Sequence, residues 1–286
     1  MSRTFTVAAP DGALLQVQEW PADPPGDGPT VVLEHGWTLT RASWLPVIEQ
    51  LVERGLRVVA YDQRGHGGSG PLRGRPTVRG LGDDLAAVLD VVAPSGPVVL
   101  GGHSMGGMTV MAYAGLHPEE FASRVVGVVL VSTSAGDLRR TGLRSLEARA
   151  MWLASRMPRV AAGRLVTTRS QRHLLFGAHP DPEHVRLTRD QVASTALPTM
   201  GRFYSALSEH DEAEALAQLE GVPTVVLVGD RDRLTPQRHA ERLAELVPHA
   251  ELRVLEGCGH MLGYEATDEV VSALCSVVEA AQAEAR

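Results

Sequence analysis

The sequence contains no lysine, since all 27 basic residues are arginine. Schiff-base catalysis, attachment of pyridoxal phosphate and the phosphate-binding P-loop each need a lysine, so these chemistries are excluded. The two cysteines, Cys258 and Cys275, are too few for a disulfide framework and are not spaced as a metal-binding pair. We therefore expect a reduced protein that needs no metal and no organic cofactor.

Long apolar runs are also missing. The longest run, residues 125–131, has the length of a strand and falls well short of the ~20 residues that span a bilayer. The first 16 residues lack the basic start and apolar stretch of a secretory signal, so a cytoplasmic location is expected. The net charge of −7 gives the chain as a whole no affinity for nucleic acid or an anionic membrane. Composition does not indicate the oligomeric state.

Short β-branched runs alternate with longer helical patterns along the chain. Strands are predicted at residues 5–8, 14–19, 30–33, 57–61, 97–101, 125–132, 224–229 and 251–255. Helices are predicted at residues 43–54, 78–92, 105–116, 236–246 and 267–284. The first two strands form a hairpin, and the last six are apolar enough to be buried on both faces of a parallel sheet. This alternation predicts a doubly wound α/β fold.

Residues 136–221 interrupt the alternation. They contain no convincing strand, and their helical patterns are broken by several prolines. A structureless loop of this length between two core strands would be unusual. We predict a helical cap at 136–221, inserted into a core domain formed by residues 1–135 and 222–286.

A serine lies where a strand passes directly into a helix, in Gly102-His103-Ser104-Met105-Gly106. This is the G-x-S-x-G nucleophile elbow in its expected context. The glycines allow a tight turn, which lifts the serine hydroxyl off the sheet at a helix N-terminus. Ser104 is the predicted nucleophile.

A serine nucleophile needs a base and an acid that orients the base. Of the 11 histidines, only His260 lies in a glycine-rich loop after a late core strand. Two aspartates follow the strand at 224–229, and Asp232 is favoured over Asp230 because it lies deeper in the loop. Asp230 is expected to brace the turn. The order Ser104, Asp232, His260 is the chain order of triads on this kind of elbow.

Backbone donors for an oxyanion are expected at Met105, which follows the nucleophile, and at Trp37, which follows His35-Gly36. A further set is predicted to line the substrate site, with a bracing role favoured for its two histidines. It comprises His35, Gly36, His103, Trp152 and Met261.

These motifs resemble those of the α/β-hydrolase superfamily, and they occur in its order from residue 35 to residue 260. The His-Gly-Trp and Ser-Met-Gly-Gly segments are most similar to the bacterial serine esterases and cofactor-free haloperoxidases (perhydrolases). The resemblance implies a mostly parallel eight-stranded sheet, and its serine elbow disfavours the epoxide and halide chemistry of relatives with an aspartate nucleophile. Glu34 departs from the pattern, because an apolar residue is usual there; it could line the pocket or bond to a neighbouring loop.

Three functions fit the sequence, each with a small-molecule acyl substrate or ligand. The first is hydrolysis of a carboxylic ester with a small to medium acyl group. The second is C–C or lactone hydrolysis, acyl transfer or perhydrolysis on the same triad. The third is a ligand receptor that retains the triad.

The predicted cap is strongly basic between residues 137 and 172. Nine arginines stand there against Asp137 and Glu147, at positions 139, 140, 144, 149, 156, 159, 164, 169 and 172. A solvated helix face is favoured over a role in binding a substrate carboxylate or phosphate. The apolar underside of the cap is predicted to consist of Met151, Trp152, Leu153, Met157, Phe176, Met200, Phe203 and Tyr204.

Overall fold

Eight strands form one sheet in the computed structural model, which describes residues 1–22, 28–138 and 144–284. They are β1 (Arg3–Ala8), β2 (Leu14–Trp20), β3 (Thr30–Glu34), β4 (Val58–Asp62), β5 (Val98–His103), β6 (Val125–Val131), β7 (Thr224–Gly229) and β8 (Glu251–Leu255). The spatial order is β1-β2-β4-β3-β5-β6-β7-β8. The β1–β2 and β2–β4 pairs are antiparallel and all others are parallel. The predicted mostly parallel, eight-stranded sheet is confirmed.

Helices cover both faces of this sheet. In the described residues they are α1 (Leu45–Glu53), α2 (Val78–Val92), α3 (Met105–Leu116), α4 (Pro118–Arg124), α5 (Arg144–Ala154), α6 (Thr168–Leu175), α7 (Pro182–Ser194), α8 (Leu197–Glu209), α9 (Arg238–Leu246), α10 (Leu262–Glu265) and α11 (Thr267–Glu284). α2, α3 and α9 bury apolar side chains on one face, and α1 and α11 do so on the other. The fold is therefore doubly wound, as predicted. The short helices α4 and α10 were not predicted.

The edge strand β8 differs from the prediction that the last six strands are buried on both faces. Glu251 is exposed, Val254 is 41% exposed, and Arg253 pairs with Glu251 at 2.8 Å. A strand at the end of a sheet has a neighbour on one side only, and charged side chains are usual there. The alternating charges of this strand therefore reflect its edge position.

Between β6 and β7, the described residues form helices α5 to α8 and no strand of the sheet. These helices pack on the core, since Phe203 of α8 contacts the cluster of Met105 and Met200 contacts that of Met261. The helical character predicted for this stretch is therefore observed, whereas its division from the core as a separate cap domain stays a prediction. Within the described ranges, no helix is long and apolar enough to cross a membrane.

Glu34, the last residue of β3, is completely buried. It neither lines an open pocket nor bonds to a loop, because neither carboxyl oxygen has a hydrogen-bond partner in the described part of the chain. Its neighbour across the β3–β4 pair is the buried Tyr61. Burial, with a smaller contribution from the charge of Asp84, raises the pKa of Glu34 to about 8, although the neighbouring Tyr61 hydroxyl opposes the rise. The carboxyl group is therefore held in its neutral form at neutral pH.

Replacing Glu34 by Gln should change how stability depends on pH. The folded protein binds the Glu34 proton more tightly than the unfolded chain does, so this group's contribution to stability is lost as pH rises from about 4.5 towards 8. The loss can reach about 1.4 kcal/mol per pH unit. We expect Glu34→Gln to be more stable, relative to the natural protein, at about pH 9 than at about pH 5.

Urea unfolding at both pH values measures the effect, with Glu53→Gln as the control because Glu53 is exposed. The same free-energy difference at both pH values would contradict a neutral, buried Glu34.

Candidate active site

Ser104 occupies the turn between β5 and α3 in a strained backbone conformation. Its φ of 54° and ψ of −118° lie in a region that non-glycine residues rarely adopt. Two contacts hold it there: its N–H donates to the Val131 carbonyl at 2.9 Å, and its own carbonyl accepts the Thr133 hydroxyl at 2.7 Å. Strain of this kind persists where the surroundings fix the backbone, and it is common at functional sites.

The turn is possible because Gly102 and Gly106 have no side chains, which lets neighbouring backbone segments pack directly against them. A Cβ atom on Gly106 would lie 2.2 Å from the Glu34 carbonyl oxygen, and one on Gly102 would lie 2.5 Å from the Gly107 nitrogen. Any larger residue at Gly102 or Gly106 would push the start of α3 away from β3 and β5. The glycines of the elbow are therefore required by packing as well as by the turn.

His260 and Asp232 form a buried pair. His260 Nδ1 lies 2.8 Å from Asp232 Oδ2, and the two residues are 3% and 5% exposed. The other oxygen of Asp232 accepts the N–H groups of Leu234 and Thr235 at 2.8 and 2.9 Å. Burial alone would raise the pKa of Asp232, but His260 and these N–H groups outweigh it and lower the pKa. Because Nδ1 donates to the carboxylate, Nε2 is left as the basic nitrogen of His260.

The loop of His260 lies against the nucleophile turn. His103 Nε2 donates to the His260 carbonyl at 2.9 Å, and the two imidazole rings are 4.8 Å apart. His103 directly precedes Ser104, so the predicted nucleophile and base are brought to the same place. Asp230 instead accepts the N–H of Gly257 at 2.8 Å, the bracing role expected for it. The structure thus brings Asp232, rather than Asp230, to His260.

His35 and His103 are buried and make hydrogen bonds to neighbouring backbone groups. His35 Nε2 accepts the Gln63 N–H at 2.9 Å, and the Gln63 amide returns a hydrogen bond to the His35 carbonyl. Burial lowers the pKa of His35 to about 4 and that of His103 to about 3, so both rings are neutral. Gly36 lies against His103, because a Cβ there would be 3.0 Å from its ring. These contacts are of the bracing kind that was favoured for both histidines, and substrate contacts from His35, Gly36 and His103 stay a prediction.

Two backbone N–H groups are available near Ser104. That of Met105 is the first of α3 and has no partner within the helix. That of Trp37 has no acceptor among residues 1–22, 28–138 and 144–284. The turn after Trp37 is fixed by Thr38, which has a φ of 64° and whose N–H donates to His66 Nε2 at 3.2 Å. Both predicted oxyanion donors therefore keep a free N–H, although their role stays a prediction.

Apolar side chains from the helices between β6 and β7 surround these residues. Met261 is 3% exposed and belongs to a cluster that also contains Leu39, Phe176 and Met200. Trp37 packs against this cluster, and against a second one that contains Met105 and Phe203. Ser104 itself is only 9% exposed. Ser104 is therefore largely covered, and the clusters beside Trp37 and Met261 are apolar.

Trp152 is not gathered with the other predicted site residues. It is 56% exposed on α5, and the guanidinium of Arg156 lies 3.6 Å from the centre of its ring. Leu153 and Met157 are exposed too, so three of the apolar residues predicted for the underside point to solvent instead. Met151, Phe176, Met200 and Phe203 do pack inward.

Of the nine arginines predicted to make this stretch basic, Arg139 and Arg140 lie outside the described residues, as do the side chains of Arg144 and Arg164.

The segment after α6 fixes the His260 loop, a contact that sequence reasoning missed. The His260 N–H donates to the Leu175 carbonyl at 2.7 Å, and the Ala178 N–H donates to the Gly257 carbonyl at 2.8 Å. A Cβ on Gly177 would lie 2.0 Å from that same Gly257 oxygen. The two segments therefore touch backbone to backbone.

Glu265 joins the same two segments and was also missed. Its carboxylate accepts the N–H groups of Gly177 at 2.6 Å, Gly259 at 3.0 Å and Met261 at 3.3 Å. Two of these donors flank His260. Burial raises the pKa of Glu265, and the three N–H groups oppose that rise. In the sequence, the one indication of this contact is a carboxylate five residues after His260.

In the described ranges no three His, Cys, Asp or Glu side chains converge as a metal site.

Replacing Glu265 by Ala should loosen both segments together. Hydrogen bonds to a charged group contribute about 1.5–3 kcal/mol each, so we expect unfolding to become easier by about 2–5 kcal/mol. Hydrogen exchange followed by mass spectrometry should speed up at residues 175–178 and 257–261, while β5 and β6 stay protected. Glu279→Gln, an exposed change on α11, is the control. Faster exchange in only one of the segments would show that Glu265 does not join them.

Known proteins share this architecture and these motifs. Residues 29–267 match the family model of the α/β hydrolase fold. A non-heme haloperoxidase from Rhodococcus erythropolis is 30% identical over 96% of this chain and 98% of its own length. A bifunctional esterase/perhydrolase from Acinetobacter calcoaceticus is 28% identical over 89% of this chain and 92% of its own. Among solved structures, an esterase from Thermogutta terrifontis superposes with a TM-score of 0.80 at 24% identity, covering 98% of this chain and 99% of its own.

The family model covers most of the chain, and the haloperoxidase relative is similar over nearly all of it. The sheet order, the serine turn and the helices between β6 and β7 agree with that match. This chain belongs to the α/β-hydrolase fold family and is a hydrolase.

Proposed function

We propose that this hydrolase cleaves carboxylic esters of small to medium acyl groups, with Ser104, His260 and Asp232 as a catalytic triad. The observation that carries the proposal is the buried His260–Asp232 pair, 2.8 Å apart, beside the strained turn that presents Ser104. A serine hydroxyl is a weak nucleophile, and a neutral imidazole oriented by a carboxylate is what activates it.

In the first half of the reaction, His260 Nε2 takes the proton of the Ser104 hydroxyl as its oxygen attacks the ester carbonyl carbon. The carbonyl oxygen becomes an oxyanion, to which the N–H groups of Trp37 and Met105 donate. A donor of this kind lowers the barrier by about 3 kcal/mol. The imidazolium then gives its proton to the alcohol, which leaves, and an acyl group remains on Ser104.

In the second half, water replaces the alcohol. His260 removes a proton from the water, which attacks the acyl carbon, and the proton returns to the Ser104 oxygen as the carboxylic acid leaves. Asp232 keeps Nδ1 protonated throughout, because its lowered pKa keeps it ionised. Leu39, Phe176 and Met200 supply apolar surface for the acyl chain, and the low exposure of Ser104 favours a chain of limited length.

Ser104→Ala should lower kcat for p-nitrophenyl esters at least about a thousandfold, and Asp232→Asn by about 10⁴, since an amide orients the wrong tautomer of His260. Steady-state rates across chain lengths from acetate to decanoate measure both the loss and the preferred acyl length. We expect the optimum at the short end of this series. The control is Ser123→Ala, which removes an exposed hydroxyl from α4.

Full activity in Ser104→Ala would overturn the acyl-enzyme mechanism. A natural protein that binds these esters without turnover would favour the receptor alternative. A fluorophosphonate probe distinguishes an acyl-enzyme hydrolase from a receptor, because it labels Ser104 only where the hydroxyl is activated.

Perhydrolysis is a second candidate, favoured by the relatives named haloperoxidase and esterase/perhydrolase. Hydrogen peroxide would replace water in the second half-reaction, so that the acyl group leaves as a peracid and Ser104 regains its proton. With acetic acid as acyl donor, water leaves in the first half-reaction in place of the alcohol, and hydrogen peroxide then takes the acyl group from Ser104. We expect peracid to form, measured by bromide oxidation, and to disappear in Ser104→Ala along with ester hydrolysis. Peracid formation that survives in Ser104→Ala would separate this activity from the triad.

A further inference from the structure

Exposed apolar side chains concentrate on one part of the molecule. Twelve large apolar residues are exposed in the described ranges, and five of them lie between residues 152 and 165. Trp152 is 56%, Leu153 58%, Met157 43% and Val160 54% exposed. A single exposed apolar residue needs no explanation, but a group of neighbours on one surface indicates a contact site.

Trp152, Leu153, Arg156 and Met157 lie on one face of a helical segment, and the exposed Arg159 and Val160 follow it directly in the chain. After α5 the chain makes a further helical turn, because the N–H groups of Arg156 and Met157 donate to the Leu153 and Ala154 carbonyls at 3.0 and 3.1 Å. This turn places Arg156 on Trp152, and Met157 one turn after Leu153. We define the α5 patch as Trp152, Leu153, Arg156, Met157, Arg159 and Val160.

The α5 patch is basic although the chain is acidic. Residues 148–172 contain six arginines and no aspartate or glutamate, whereas the whole chain has a net charge of −7. Arg149, Arg156 and Arg159 are all exposed. Within the described ranges, none of these three arginines forms a salt bridge with an Asp or Glu side chain. Their charge is therefore not neutralised locally.

We propose that the α5 patch docks the protein on the surface of an anionic lipid bilayer. A tryptophan and aliphatic side chains that enter the headgroup region, together with arginines that pair with lipid phosphates, make up the chemistry of interfacial helices. Arginine pairs with phosphate through two parallel hydrogen bonds, which favours a phosphate-bearing surface. Charge complementarity selects an anionic membrane over a neutral one.

A second copy of this chain fits the patch less well. In a two-fold symmetric contact the patch would face itself, and arginines would oppose arginines across a desolvated surface. The bilayer instead supplies the opposite charge everywhere along the patch.

Docking would also orient the active site. Met151, next to Trp152 on α5, packs inward with the cluster that contains Met261, and the Met151 carbonyl lies against Gly201 of α8. The inner side of α5 thus borders the site while its outer side carries the patch. A bilayer against the patch would lie above the helices that cover Ser104.

Sedimentation with vesicles tests the proposal on the full chain. We expect binding to phosphatidylcholine vesicles that contain phosphatidylglycerol to be at least about tenfold stronger than to phosphatidylcholine alone, and to fall between about 0.05 M and about 0.5 M salt. Leu153→Glu and Arg156→Gln should each lower binding about tenfold or more. The matched controls are Val91→Glu, at an apolar residue on α2 that is 55% exposed, and Arg242→Gln, at an exposed arginine on α9.

The proposal fails if the natural protein binds neither kind of vesicle, or if the control variants lose as much binding as the patch variants. It also fails if sedimentation equilibrium shows a dimer that Leu153→Glu dissociates, since the patch would then be a contact between copies. Unchanged melting temperatures confirm that the variants fold. Because binding is measured without turnover, the result does not depend on the proposed ester chemistry.

Discussion

The left-handed backbone of Ser104 is the constraint on which the rest of the site depends. A non-glycine residue in such a conformation costs about 1–3 kcal/mol, so the surroundings must hold it. They do so from both sides: β6 and the segment after it bind the Ser104 N–H and carbonyl, and the end of β3 packs against Gly106. Strands β3, β5 and β6 are adjacent, β3 and β5 are completely buried and β6 is nearly so, so the sheet itself is the rigid frame of the proposed nucleophile.

The proposed base, His260, is held in another way. The His260 loop follows the exposed edge strand β8, so the sheet encloses it far less than it encloses Ser104. Two groups supply the support that the edge lacks: the Leu175 carbonyl at the end of α6, and the Glu265 carboxylate at the end of α10, which also binds Gly177 in the segment after α6. Residues between β6 and β7 therefore do two things: they cover the site with apolar side chains, and together with Glu265 they hold the loop of His260.

Much of the fold could be predicted from the sequence, because buried parallel strands are short apolar runs and their helices are long periodic ones. The bounds of α2, α3 and α11 agree with the prediction to the residue. Asp232 could be placed with His260 because both lie in loops at the same edge of the sheet. The features that could not be predicted depend on contacts between segments that are distant in the sequence. Nothing near Glu265 indicates Gly177 as its partner, and the periodicity of α5 does not distinguish Met151, which packs inward, from Trp152, which faces solvent.

Net charge, like helix periodicity, does not show how residues are arranged on the surface. A net charge of −7 argues against binding to an anionic surface only if the charges are evenly spread and act over long distances. At physiological ionic strength, exposed charges more than about 8 Å apart are largely screened from one another. The interaction energy of a lipid phosphate beside Arg156 would therefore depend on nearby groups, such as Arg159 and the ring of Trp152. Acidic residues on the far side of the sheet would contribute little to it. Local composition decides what a surface of this molecule can bind, and between residues 148 and 172 that composition is basic and apolar.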